Sequence, residues 1–149
     1  MKGFPDLPPI WLVGFCGLAW GLARLVPVGY VIGSLGQGFG AVLILGALGL
    51  IVWSALWFRR KNTTIEPHHT PKSLIVEGPY RLSRNPIYLA MLAILTGWVL
   101  YLGALTPLVL PFVFARVLTS RFIIPEEAVL REAFGPEAER YIDATRRWL

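Results

Sequence analysis

Two short polar segments hold most of the residue types in this chain that could do chemistry. The first runs Glu77-Gly78-Pro79-Tyr80-Arg81-Leu82-Ser83-Arg84-Asn85-Pro86-Ile87-Tyr88. Gly78-Pro79 signals a turn. Asn85 before Pro86 signals a helix start: Asn caps free backbone N–H groups, and proline at the first helical position gives up nothing. A helix N-terminus carries partial positive charge and open N–H donors. With Arg81 and Arg84 just ahead of it, the segment forms an anion site, for a ligand or equally for a lipid headgroup. The second segment opens at Ile124-Pro125-Glu126-Glu127, again a helix start with acids at the positive end. Glu127 and Arg131 stand four apart and can pair, while Leu130 and Phe134 continue one apolar face. Gly135-Pro136 closes that helix. A second short helix from about 136 to 147 presents Tyr141, Ile142, Thr145 and Trp148, with a basic end suited to an interface.

Two further features are weighed beside these. Arg116 lies in an apolar stretch about three turns before Glu127, so it either snorkels to the surface or lines a polar pocket with Glu127; the second is the functional reading. His68-His69 is a poor metal site, because adjacent loop histidines lack the three or four placed ligands that zinc needs. No metal is expected. Nor is there a glycine-rich phosphate loop, a nucleophile elbow or a dinucleotide-binding pattern.

The elements that position these residues follow from the charge distribution. The chain has 149 residues, 55% hydrophobic and only 15% charged. Soluble domains average about 45–50% and about 25%. That excludes disorder and argues against a soluble enzyme. The length allows one domain, 1–149, and the single Cys16 excludes an internal disulfide or a cysteine-built zinc site. No charge occurs from Leu7 to Ala23, from Leu25 to Phe58 or from Asn85 to Ala115. A span needs about 20 apolar residues, and glycines and prolines divide the longer runs. The result is an all-α integral membrane protein with four transmembrane helices at about 10–25, 39–58, 86–102 and 106–124, the cluster of Pro27, Gly29, Gly33, Gly36 and Gly38 around Gln37 being read as a connection. The first of these is read as a retained span rather than a signal peptide, since Asp6 offsets Lys2 and no small-x-small site follows. Gly17-x-x-x-Gly21 and Gly36-x-x-x-Gly40 are weak packing signals.

Four spans place the N-terminus, the 59–84 loop and the C-terminal amphipathic tail on one side. That side carries nearly all of the 14 lysines and arginines, with Arg24 left near the other. The positive-inside rule makes it cytoplasmic, in the cell (inner) membrane. The net charge of +5 is then topology and contact with membrane lipids, not nucleic acid. No Asp or Glu falls between Leu7 and Ile65 or between Gly78 and Pro125, which counts against a proton-coupled transporter.

The run Gly78-Pro79-Tyr80-Arg81-x-x-Arg84-Asn85-Pro86-Ile87-Tyr88-Leu89 resembles the signature of the isoprenylcysteine carboxyl methyltransferase and phospholipid N-methyltransferase superfamily. So does Glu126-Glu127-x-x-Leu130-x-x-x-Phe134-Gly135 followed by Tyr141 and Arg146-Arg147. Thr63-Thr64-Ile65-x-Pro67 and Leu74-Ile75 fit bacterial members. The resemblance covers about Thr63 to Leu149; Asn85 stands where many members have His. It implies a multi-pass methyltransferase that uses S-adenosylmethionine, releases S-adenosylhomocysteine, and holds the cofactor at the cytosolic face through motifs 78–89 and 126–147. Carried over, the cofactor residues are Tyr80, Arg84, Asn85, Pro86, Tyr88, Leu89, Glu126, Glu127 and Leu130, with Tyr141 and Arg146. The catalytic candidates are Glu127 and Arg116. The acceptor is expected to be lipophilic and to enter from the bilayer: an isoprenylcysteine carboxylate, a phospholipid amine or a thiol. The alternatives are an NADPH-dependent reductase of the sterol-reductase type and a non-enzymatic helical scaffold.

Overall fold

Prolines set the starts of most helices and glycines several of their ends. The computed structural model describes residues 6–29, 33–60 and 74–149. Lys2, Lys61, Lys72, the 63–67 motif and His68-His69 lie outside them. Helix α1 (Pro8–Leu25) begins on a proline pair. Helix α2 spans Ser34–Arg60. A 3-10 turn at Gly78–Arg81 leads to α3 (Pro86–Leu102), whose end is capped by Gly103 in the left-handed region. A second 3-10 turn, Thr106–Val109, starts one continuous helical rod: α4 (Leu110–Leu118), a π-helical turn (Thr119–Ile123) and α5 (Ile124–Phe134). After Gly135, helix α6 covers Pro136–Ala144. No strand occurs among the described residues. Three helical segments are long and apolar enough to cross a membrane, and α3 is a shorter apolar one.

The α3 and fourth-span starts fall where the sequence places them. Two expectations are corrected. The connection is shorter than the Pro27-to-Gly38 cluster implies: α1 ends at Leu25, but α2 already begins at Ser34 and takes Gly36, Gln37 and Gly38 into its first turns. The reason is tertiary. Gly36, Gly40, Ala47 and Ser54 form the buried face of α2. A Cβ on Gly40 would sit 2.4 Å from the Gly97 carbonyl oxygen of α3, and one on Gly97 would sit 2.6 Å from the Gly40 oxygen. Backbones that approach this closely compensate the helix propensity that glycine lacks, about 1 kcal/mol per residue. Gly17 and Gly21, by contrast, face open space.

Nor does a new helix begin at Ile124-Pro125. Pro125 has no N–H to donate and its ring crowds the carbonyl four residues back, so the rod widens to a π turn and continues. From Thr106 to Phe134 it runs 29 residues, about 43 Å at 1.5 Å per residue. A hydrocarbon core is about 30 Å thick, so the first 20 or so residues span it and α5 projects beyond. Glu126 and Glu127 thereby stand outside the spanning segment.

The elements alternate in direction. One end brings together the start of α1, the end of α2, the start of α3 and the π turn; at the other, Thr106 donates to the Val26 carbonyl and Leu105 N–H to Gly29. Helix α3 is central, and Leu95 and Val99 pack with Phe114, Leu118 and Ile123 in the main core.

Candidate functional site

The polar end is assembled around the start of α3. Gly78 has φ +60°, and a Cβ there would overlap the Trp57 indole, so the 3-10 turn is tied to the end of α2 by a position that only glycine fills. The turn seats Tyr80 edge-on to Phe58 at 5.7 Å, inside a small cluster with Ile75 and Tyr141. The Tyr141 hydroxyl donates to the Tyr80 carbonyl at 2.9 Å, which docks α6 onto the turn. Burial pushes both phenols well above the usual tyrosine range. Tyr80 and Tyr141 therefore build the frame of the site and stay neutral.

Asn85 does not cap α3 as the sequence implies, since its side chain makes no bond to the helix N–H groups. It donates instead to the Arg147 carbonyl at 3.0 Å, and Ser83 donates to the same oxygen at 3.2 Å. The Arg84 N–H donates to the Arg146 carbonyl at 3.0 Å. Helix α6 ends at Ala144 rather than near 147, and the chain after it crosses these three donors. A backbone carbonyl presented from outside competes successfully for the amide, because the capping bond is a weak local one. Proline supplies the preset start of α3, and the uncapped N-terminus keeps its anion-attracting character.

Glu127 is the electrostatic centre. It is only 5% exposed. Arg147 donates to it twice, Nε to Oε1 at 2.9 Å and Nη2 to Oε2 at 2.7 Å, the two-pronged geometry that suits a guanidinium and a carboxylate. Arg84 Nη1 stands 3.2 Å from Oε1. Burial alone would raise the carboxyl pKa; the Arg147 bond and the charges of Arg84, Arg147 and Arg131 outweigh it and hold the group below the ordinary glutamate range. Arg147 is in turn held above the usual arginine value by its bond to Glu127. The expected Glu127–Arg131 pairing gives way, since Arg131 Nε bonds Glu139 at 3.0 Å.

Beside this cluster, the Tyr88 hydroxyl of α3 donates to Glu126 Oε1. Tyr88 also packs against Phe122 of the π turn at 6.3 Å, so a ring contact and a hydrogen bond join α3 and the rod beside the Glu127 cluster. Glu126 is half-buried. Arg84 carries two buried nitrogens, Nε and Nη1, that make no hydrogen bond among the described residues, Nη1 meeting Glu127 only as an ion pair. Buried guanidinium donors are rarely left this way, and these fit a ligand carboxylate or phosphate.

The structure thus brings together Arg84, Asn85, Pro86, Tyr88, Glu126 and Glu127, with Tyr80 and Tyr141 behind them. Leu89 and Leu130 are half-buried on α3 and α5. Arg116 does not join them. It is exposed on the rod, and Glu127 is occupied by Arg84 and Arg147, so the proposed Arg116–Glu127 pocket is absent. Arg146 contributes its carbonyl, while its side chain is exposed. The residues that sequence reasoning missed are Ser83, fully buried, and Arg147. In an extended segment successive side chains point opposite ways, so adjacent arginines cannot both reach Glu127. Among the described residues no three His, Cys, Asp or Glu side chains come together as a metal site.

Comparison with known proteins adds one assignment. The sequence profile described as phospholipid methyltransferase matches residues 35–137, well over half the chain. An uncharacterized protein of Haemophilus influenzae is 38% identical over 63 residues, which is its whole length and 42% of this chain. No solved structure matches significantly.

Proposed function

The chain belongs to the phospholipid methyltransferase family, within the isoprenylcysteine carboxyl methyltransferase superfamily, and from that premise we propose that its polar end binds S-adenosylmethionine and directs methyl transfer to a lipophilic acceptor in the bilayer. The observation that carries the reading is the buried Arg84 guanidinium at the open N-terminus of α3: its Nε has no hydrogen-bond partner among the described residues, while its Nη1 is ion-paired with Glu127. Arg84 and the first N–H groups of α3 fit the cofactor's carboxylate. Glu126 can accept from its ribose hydroxyls or ammonium. When bound, the cofactor supplies an activated methyl group on a sulfonium.

The chain's own work is alignment. Transfer is an in-line displacement, so the gain comes from holding acceptor and methyl in register and excluding water. Glu127 serves as a positioning residue, not a base: it is ionised, buried and committed to two arginines that it holds in place. With Tyr80 and Tyr141 also neutral, none of these three groups stands ready to take a proton. That favours an acceptor already deprotonated, a carboxylate or thiolate, over an amine. We assign the polar end to the cytoplasmic face of the cell membrane, where the positive-inside rule puts it. The whole chain acts as one domain.

The test is transfer of labelled methyl from S-adenosylmethionine in membranes containing the protein. Label in a lipid or isoprenoid fraction is the expected result. No labelled product, together with no binding of S-adenosylhomocysteine, would sink the reading.

A further inference from the structure

We propose that a groove between α1 and the π turn holds the hydrocarbon chain of an anionic lipid amphiphile, with Arg121 gripping its headgroup. If that lipid is the methyl acceptor, the groove is its binding site, and that step rests on the methyltransferase reading above. Trp11, Gly14, Phe15 and Leu18 of α1 line it, and its volume is about 440 Å³, within the roughly 300–1,000 Å³ typical of small-molecule sites. The lining is apolar except at the mouth, where Asp6 and Arg121 stand. Leu18 is half exposed on the membrane side of the bundle, so a lipid chain reaches the groove without crossing water.

The mouth is built, not incidental. Arg121 Nε donates to both Asp6 oxygens, at 2.9 and 2.8 Å, and its guanidinium lies over the Trp11 ring at 5.4 Å. Trp11 Nε1 donates to the same carboxylate at 2.8 Å. These contacts take the Nε edge and one face of the guanidinium. Neither Nη group bonds a described residue, and the side chain is 52% exposed. A fixed fork with two open amino groups suits a phosphate or carboxylate. Arg121 precedes Glu126 by five residues on one rod, about 7.5 Å along the axis. Phe15 packs in the same core as Tyr88. A headgroup on Arg121 therefore stands within reach of the cofactor site.

The probe is dodecyl phosphate with a terminal diazirine, doped into phosphatidylcholine vesicles that contain the full chain. Adducts are mapped after irradiation and compared with those on the outer face of α2. Gly14 offers open space to a larger side chain, so Gly14→Phe should fill the groove and cut α1 adducts at residues 10–18 roughly tenfold or more. Arg121→Gln should lower labelling to that of the uncharged dodecanol analogue. Both variants should bind S-adenosylhomocysteine as the wild type does. Adducts spread equally over α1 and α2, or unchanged by Gly14→Phe, would overturn the proposal. Groove labelling without methyl transfer or S-adenosylhomocysteine binding would sustain the lipid site and reject the methyltransferase; methyl transfer with the groove unlabelled would do the reverse.

Discussion

At Gly40 and Gly97 two helices touch backbone to backbone, with no side chain between them. At Glu127, α5, the start of α3 and the C-terminal segment meet through charge. The seam is steric: its strength depends on atoms that are absent, and neither pH nor salt reaches it. The polar end is electrostatic: its strength depends on three ionised groups that remain paired, Glu127 and Arg84 largely dry and Arg147 partly exposed. The comparison separates stability from function. Damage to the seam should cost folding and spare cofactor affinity, whereas damage at Glu127 should cost both.

The largest effect is expected from Glu127→Ala, which leaves Arg84 buried without its countercharge. Breaking a buried pair from one side typically costs about 3–5 kcal/mol, read as lost thermal stability in detergent, and S-adenosylhomocysteine binding should disappear with it. The same pair sets a pH signature. The folded pKa of Glu127 is depressed, so its contribution is complete above the ordinary glutamate range and is lost as pH falls through the lower folded value. Melting temperature against pH should show that acid limb in the wild type and a flatter one in Glu127→Gln.

Next comes Gly97→Leu. Its first added carbon would already meet the Gly40 oxygen and Ile44, an overpacking of about 1–3 kcal/mol. Titration of the folded fraction should give unchanged cofactor affinity; a tenfold loss there would break the separation. Tyr88→Phe should be smaller, about 1 kcal/mol of binding through a less well held Glu126, with melting almost unmoved. Gly17→Ala should be the smallest. Its Cβ meets nothing within 4 Å, and surface changes of this kind stay within about 0.5 kcal/mol. A clear destabilisation would mean that the Gly17 face packs against something after all.

The same contrast explains what the sequence made legible. Charge-free runs and breakers gave the apolar helices, three of them long enough to span, and α3 matched residue for residue, because length and hydropathy are local properties. The start of α2 was misjudged because glycines that read as loop are needed for contact with Gly97, a partner distant in sequence. Pro125 marked the correct place but the wrong event, a widened turn in place of a new start. At the polar end, residue types brought Arg84 and the two glutamates into view, and the family resemblance added Tyr88. They could not show that Asn85 would turn away from its helix, that Arg147 would reach Glu127 while Arg146 faced out, or that Arg116 would stay apart. Those are long-range choices of partner and side-chain direction.

The most direct test of the cofactor site is a calorimetric titration of the purified protein with S-adenosylhomocysteine and, separately, NADPH, for the wild type and Arg84→Gln. Binding of S-adenosylhomocysteine but not NADPH, weakened roughly tenfold to a hundredfold in Arg84→Gln by loss of a charge-assisted contact, is the predicted result. Binding of NADPH, or equal affinity in the two proteins, would contradict it.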